Sequence, residues 1–136
     1  MRLMDPNEML EVTEASAEAR RGLAAQMAPL YGGKPSMWLS EAARTGMRGV
    51  HQITRGAVVI GVYWAWHSKC NKTLVVNAAG SLVKQDVHLD FFEAFAAQAR
   101  ILGCDTVQFQ TARRGLVEKA QRLGYVPEGV VLSKRL

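Results

Sequence analysis

The sequence lacks an apolar run long enough to cross a membrane. Its longest such run, Ala57–Trp66, is interrupted by Gly61 and falls well short of the ~20 apolar residues that a membrane-spanning helix needs. The first residues, Met1–Pro6, also lack the apolar segment that secretory signals contain. We therefore expect no membrane partner and a cytoplasmic location.

Metal ligands and disulfide partners are scarce as well. The chain has two cysteines and three histidines. Cys70 and Cys104 have no Cys or His at the spacing of a metal site, and His51, His67 and His88 have no metal-binding partner three or four residues away. We predict no metal site and a reducing compartment.

The positive charge is spread too evenly to predict a nucleic-acid surface. The formal net charge is +5, yet no run of Lys and Arg exceeds two residues. A dispersed pattern is typical of a solvated surface, whereas nucleic-acid binding favours a basic stripe. Nucleic acid is the least favoured of three hypotheses, and it predicts an affinity that falls steeply with salt.

What the sequence does contain is the composition of one globular domain. Its 136 residues are 49% hydrophobic and 21% charged, which suits a single domain with a core of its own. A helical N-terminal part is predicted over 1–46. The residues Asp5–Glu8 have the capping chemistry of a helix start, and that helix continues to Leu30. A second helix begins at Pro35 and ends at Gly46.

The remainder, 48–136, combines a hairpin of strands with alternating helices and strands. A sheet that holds both a hairpin and helical crossovers must be mixed. We predict an α/β fold with a twisted sheet of five to six strands flanked by helices. The predicted strands are Arg48–Thr54, Ala57–Trp66, Thr73–Asn77, Thr106–Thr111 and Gly129–Lys134, and the predicted helices are His88–Leu102 and Gly115–Leu123.

The order of the C-terminal elements resembles that of the acyl-CoA N-acyltransferase (GNAT) superfamily. The helix ends in Leu102–Asp105, a strand follows, and the next helix ends in Arg122–Tyr125 before a last strand at Val130–Lys134. The match covers 73–136 and extends more loosely to the hairpin. The chain is also similar to small GNAT-like proteins of tailed phages, some of which are virion components.

The resemblance implies a loop for the CoA diphosphate, with the pattern (Gln/Arg)-x-x-Gly-x-(Gly/Ala) at the start of a helix. Backbone N–H groups and the helix dipole favour an anion there. In Lys84–Leu89 the basic first residue is kept, but Val87 and Leu89 replace the two small residues. We predict that Val87 crowds the backbone, that the like charge of Asp86 adds to the loss, and that CoA binding is abolished.

The resemblance also implies a tyrosine as general acid, four residues before the glycine of the Leu-Gly-Tyr ending. That position here is Ala120, and Tyr125 after the glycine is expected to pack in the core. Arg113 and Arg114 begin the last helix, near which the family contacts CoA. Because two cations at a helix start are unfavourable with its dipole, either a solvated loop or a phosphate site explains them.

These departures lead us to predict a non-catalytic protein with a degenerate site, no cofactor and no confident catalytic residue. Its role would be structural, as a phage virion or interaction protein that contacts other proteins or itself, in the host cytoplasm or the virion. Tyr63, Trp64 and Trp66 are the candidate contact residues, although a pair of tryptophans on one side of a strand also fits core packing.

The alternative is an active CoA-dependent N-acyltransferase with a divergent acetyl-CoA site. Its acceptor would then lie near Trp64 and Trp66, with His51 or His67 as a general base. His88, at a helix start, fits a surface or capping role. The candidate cofactor-binding residues in this interpretation are Lys84, Val87, His88, Leu89, Arg113 and Arg114.

Overall fold

The part of the chain that the structure describes contains five strands and three helices. The structure is a computed structural model, and the residues it describes are 9–27, 49–68, 70–110, 114–128 and 134. Among them, no helix is long and apolar enough to cross a membrane. The elements are β1 (Leu10–Glu14), α1 (Ala17–Met27), β2 (Val50–Arg55), β3 (Val58–Ser68), β4 (Thr73–Ser81), α2 (His88–Ile101), β5 (Thr106–Phe109) and α3 (Arg114–Arg122).

The five strands form one mixed sheet in the order β1-β2-β3-β4-β5. The first four strands pair antiparallel with their neighbours, and β5 pairs parallel with β4. The parallel pair is possible because α2 carries the chain back across the sheet between the two strands. This architecture confirms the predicted α/β fold with a mixed sheet of five strands flanked by helices.

The structure corrects the start of the chain, because Leu10–Glu14 is an edge strand and not part of a helix. It pairs with β2 over its whole length. The helix begins later, where the hydroxyl of Ser16 accepts a hydrogen bond from the N–H of Ala19 at 3.1 Å, as an N-cap residue does. The helix predicted to begin within Asp5–Glu8 is wrong over Leu10–Glu14 because strand pairing with a distant segment outweighs local helix signals.

The other described elements lie close to their predicted positions. The hairpin, α2, β5 and α3 each differ from the prediction by a few residues at their ends, while β4 continues four residues further than expected, to Ser81. The predicted helix from Pro35 to Gly46 lies outside the described residues. Of the predicted strand Gly129–Lys134, only Lys134 is described. The division into 1–46 and 48–136 stays a prediction.

Both faces of the sheet are covered, so β3 runs through the middle of the core. Ile60, Val62 and Tyr63 in this strand are all completely buried. On one face α2 packs three phenylalanines, Phe91, Phe92 and Phe95, against the strands, and on the other face α1 contributes a smaller cluster that includes Leu23. The nearly continuous apolar sequence of β3 is explained by this burial on two sides.

Two β-bulges interrupt the antiparallel pairing. Ile60 is the extra residue of β3 against β2, and Asn77 is the extra residue of β4 against β3, where Trp64 lies opposite Ala78 and Ala65 lies opposite Val76. A bulge reverses which face the following residues occupy and bends its strand. Accordingly Val76 packs in the α2 core, while Ala78 packs in the α1 core.

Candidate functional site

The second half of β4 has an open edge on its β5 side. The parallel pairing of β4 with β5 ends where Val76 lies opposite Phe109, directly before the bulge at Asn77. No strand among the described residues pairs with Asn77–Ser81 on that side. Because the bulge bends β4 at the point where β5 stops, a gap between the two strands begins here.

Ala79 presents its backbone hydrogen-bonding groups to this open edge. The N–H of Leu82 donates to the carbonyl of Ile60 at 2.9 Å, and every second residue of an antiparallel strand bonds the same neighbour. Gly80 therefore bonds β3, while Ala79 and Ser81 face away from it. The carbonyl of Ser81 already accepts from Gln26 Nε2 at 2.8 Å, whereas no strand among the described residues hydrogen-bonds the backbone of Ala79 on that side.

A cleft lies between the start of α2 and the end of α3. It has a volume of about 490 Å³ and is lined by Asp86, Leu89, Asp90, Lys119, Arg122 and Leu123. A second recess of about 380 Å³ adjoins it and shares Leu89 and Leu123, with Phe92 and Tyr125 among its apolar lining. The two recesses form one groove that is charged at one end and apolar at the other.

A cluster of charged groups stands at the charged end of the groove. The Asp86 carboxylate accepts a hydrogen bond from the N–H of His88 at 3.0 Å and another from Lys119 Nζ. The ring Nδ1 of His88 lies 3.2 Å from Asp86 Oδ1 and 3.0 Å from Lys119 Nζ. The hydrogen bond from Lys119, followed by that from the His88 N–H, lowers the pKa of Asp86.

The predicted obstruction by Val87 is wrong. Its side chain is 1% exposed and packs in the core with α2, so it points away from the loop backbone rather than over it. Leu89, in contrast, is 63% exposed and lines both recesses of the groove. Of the two large residues in the predicted loop, only Leu89 therefore lines the groove, and Lys84, at the first position of the loop, is exposed.

The structure places Ala120 in the core, with 3% of its surface exposed, so no hydroxyl group is present at that position of α3. Tyr125 packs against Phe92 and Phe109, with ring centroids 5.3 Å away in both cases, as predicted for it. Arg113 lies outside the described residues. Arg114 begins α3, but its side chain is outside the described part of the structure.

A polar chain links two strands to α2 beneath the aromatic core. The Tyr63 hydroxyl donates to the side-chain carbonyl of Gln98, and Gln98 Nε2 lies 3.2 Å from the ring Nε2 of His51. The His51 and Tyr63 rings stack at 5.5 Å. Burial raises the pKa of Tyr63. Burial also lowers the pKa of His51, against smaller raising effects of the Gly49 backbone and Glu14.

The predicted contact residues of β3 separate in the structure. Tyr63 is completely buried under α2, so the prediction that it contributes to a contact surface is wrong at this position. Trp64 is partly buried against the α1 cluster, and Trp66 is 53% exposed. His67 is half-buried and pairs with Leu74 of β4. Contact of this region with other proteins stays a prediction.

Sequence reasoning missed Lys119, Arg122 and the bulge at Asn77. The helical periodicity of α3 predicts that both basic residues face solvent, as surface residues commonly do. Only the packing of α3 beside α2 brings them to the groove. The bulge has no local marker apart from a polar Asn within an apolar strand. Among the described residues, no group of three or more His, Cys, Asp and Glu side chains is arranged to hold a metal ion.

Solved structures share this architecture at low sequence identity. An aminoglycoside N-acetyltransferase, AAC(6')-Iy, in complex with CoA is 17% identical, covers 98% of this chain and 99% of its own, and has a TM-score of 0.64. An acetyltransferase of Bacillus subtilis in complex with CoA is also 17% identical; the match covers 87% of this chain and 76% of that one, with a TM-score of 0.61. A transcriptional regulator from Bacillus halodurans C-125 is 11% identical; the match covers 94% of this chain and 100% of that one, with a TM-score of 0.66.

The chain has the GNAT fold. No protein-family model and no curated protein matches its sequence, and identities this low establish the fold alone. The matches nevertheless contradict our prediction of a non-catalytic structural protein, because proteins of this fold include acetyltransferases in complex with CoA. They favour the alternative over the main interpretation and over the expectation of no cofactor. The phage origin stays a prediction.

Proposed function

We propose that the protein is an acetyl-CoA-dependent N-acetyltransferase. The observation that carries this proposal is the edge of β4 at Ala79, beside the bulge at Asn77, with which no described strand pairs; the groove between α2 and α3 adds a second feature. The acetyltransferases of the same fold, which were solved with CoA, support it. The proposal therefore rests on a place for the donor and leaves the acceptor amine open.

The open edge fits the pantetheine arm of CoA. This arm is an extended chain with two amide groups, and an extended chain can add to a free strand edge through backbone hydrogen bonds. Ala79 supplies one donor and one acceptor for that purpose. The gap between β4 and β5 would admit the arm without breaking an existing pair, since the ladder already ends at Val76.

The charged end of the groove fits the phosphates of CoA. The first turn of α2 carries backbone N–H groups and the positive end of the helix dipole, both of which favour an anion. Lys119 and Arg122 from α3 line the same cleft and add positive side chains. This arrangement differs from a glycine-rich loop because part of the charge comes from a neighbouring helix.

The chemistry of the reaction tolerates the absence of a hydroxyl group at Ala120. The amine nitrogen bonds to the acetyl carbon, the bond from that carbon to sulfur breaks, and the sulfur leaves as a thiolate while the nitrogen releases a proton. A thiol has a pKa of about 8.5, so its anion is a stable leaving group near neutral pH. A general acid typically contributes about 10²–10⁴-fold, so we expect a slower enzyme and not an inactive one.

Calorimetric titration with acetyl-CoA tests the proposal, with two variants of Ala79. In Ala79→Pro the N–H at the open edge is removed, whereas the ladder with β3 does not use it. In Ala79→Val the N–H is kept and the side chain is enlarged. We expect saturable binding for the wild type and Ala79→Val, and a loss of at least about tenfold in affinity for Ala79→Pro.

Thermal unfolding of the same three proteins shows whether the proline variant keeps its fold. An unchanged unfolding transition together with weakened binding supports the proposed place of the pantetheine arm. No binding of acetyl-CoA or CoA to the wild type at millimolar concentration would overturn the proposed function. If the wild type binds acetyl-CoA, the release of free thiol in the presence of a panel of amines would identify the class of acceptor.

A further inference from the structure

We propose that the Asp86 carboxylate is an internal competitor for the phosphates of the donor, held by Lys119 and His88 until the ligand displaces it. This inference rests on the proposed function, because it concerns the phosphate end of the same groove. It adds a specific role for Asp86 and Lys119: the ion pair between them sets the affinity for the donor and ties the β4–α2 loop to α3.

The contacts of Asp86 are those that an anionic ligand would make. One carboxylate accepts the backbone N–H of His88 at the start of α2, lies against the ring of His88 at 3.2 Å and accepts from the ammonium group of Lys119. A phosphate oxygen seeks the same backbone and ammonium donors. The two anions therefore compete for one set of donors.

The Asp86 side chain is free enough to be displaced. It is 59% exposed, and the Lys119 side chain is 35% exposed, so the ion pair lies at the surface. Surface ion pairs add little to stability, whereas a diphosphate carries more charge and more acceptor oxygens than a carboxylate. Binding of the phosphates at Lys119 would release Asp86 toward solvent and free the loop from α3.

Removal of the competing charge is the direct test. Asp86→Asn keeps an oxygen that can accept the His88 N–H but no longer neutralises Lys119. We expect acetyl-CoA to bind Asp86→Asn about tenfold more tightly than the wild type, as for the gain of one charge-assisted hydrogen bond. The matched control is Asp105→Asn, which makes the same change in net charge beyond the opposite end of α2 and should leave the affinity unchanged.

A double variant separates displacement from a general charge effect. Lys119→Met should weaken acetyl-CoA binding by itself, and in its presence the gain from Asp86→Asn should largely disappear, because no lysine is left to be released. If the gain persists in the Lys119→Met background, or if Asp105→Asn gives a similar gain, the effect is a long-range one and the inference is wrong.

The outcomes for the two proposals differ. If the wild type binds acetyl-CoA and Asp86→Asn binds it with an equal or weaker affinity, the competitor role is wrong and the proposed function still stands. Absence of binding in the wild type and in every variant overturns both. Binding that is detectable only in Asp86→Asn overturns the proposed function of the wild-type chain and leaves the competitor role of the carboxylate standing.

Discussion

Gly61 lies directly beneath the ring of Phe91. A Cβ atom at Gly61 would overlap the ring carbons of Phe91, which is 6% exposed and belongs to the first turn of α2. The absence of a side chain in β3 therefore lets α2 begin close to the sheet. Since the groove opens at the same end of α2, this contact also sets where the candidate phosphate donors lie.

Gly61→Ala should destabilise the protein by about 1–3 kcal/mol, as expected when a methyl group is forced into a packed core. The chemical denaturation midpoint measures this change. Gly115→Ala is the matched control, because open space surrounds that glycine in α3, and alanine there should stabilise by roughly 0.5 kcal/mol. Equal effects of the two variants would contradict the proposed packing of Phe91 on Gly61.

Asp90→Ala should cost about 1.5–3 kcal/mol, as typical for the loss of a hydrogen bond to a charged group. Asp90 Oδ1 lies 2.5 Å from Nη2 of Arg55, whose side chain is only 10% exposed. Glu93→Ala is the control, because Glu93 is 68% exposed and 3.9 Å from the same guanidinium, and it should change stability by less than about 0.5 kcal/mol. Urea unfolding of both variants ranks the two contacts.

Stability should fall above pH ~10, the ordinary pKa of tyrosine, through the buried Tyr63. Burial raises the pKa of Tyr63 in the folded state, so the unfolded chain loses its proton first and is stabilised relative to the folded protein as the pH rises. The slope for this group reaches at most about 1.4 kcal/mol per pH unit. Tyr63→Phe should show a shallower decline between pH 9 and 11, although it is less stable at neutral pH by about 1–2 kcal/mol.

Stability should also fall below pH ~6.5, the ordinary pKa of histidine, through His51. Burial lowers the pKa of His51, so the unfolded chain takes up a proton first as the pH falls from 7 to 5. A protonated ring would also lose the acceptor that faces the Gln98 amide. His51→Gln should flatten this decline in urea unfolding measured between pH 5 and 7; a steep decline that remains in His51→Gln would point to other groups.

Local patterns were sufficient for most elements of the second half of the chain. The alternation and β-branched content of the hairpin, and the apolar stripe of α2 from Leu89 to Leu102, predicted strands and a helix within a few residues of their ends. The core packing of Tyr125 was expected from the resemblance, and the structure shows that its partners are Phe92 and Phe109. These features depend on side-chain periodicity and turn chemistry, which neighbouring residues determine.

The same reasoning failed at Leu10–Glu14 and at Val87, for related reasons. A short segment with helix-capping residues before it can still be a strand if a distant edge is available to pair with, as β2 is. At Val87 the residue type suggested crowding, but the direction of a side chain at a helix start depends on where the helix lies. Val87 faces the core because α2 packs on the sheet there.

The sequence by itself determined the α/β class, the order of the predicted elements after the hairpin and the positions that depart from the GNAT loop and general acid. Only the tertiary structure decided that β4 bulges at Asn77, that Ala79 faces an open edge and that Lys119 meets Asp86 across the groove. The physical reason is separation along the chain. Strand register, bulges and contacts between helices depend on residues that are distant in sequence, and no local pattern records which of them will meet.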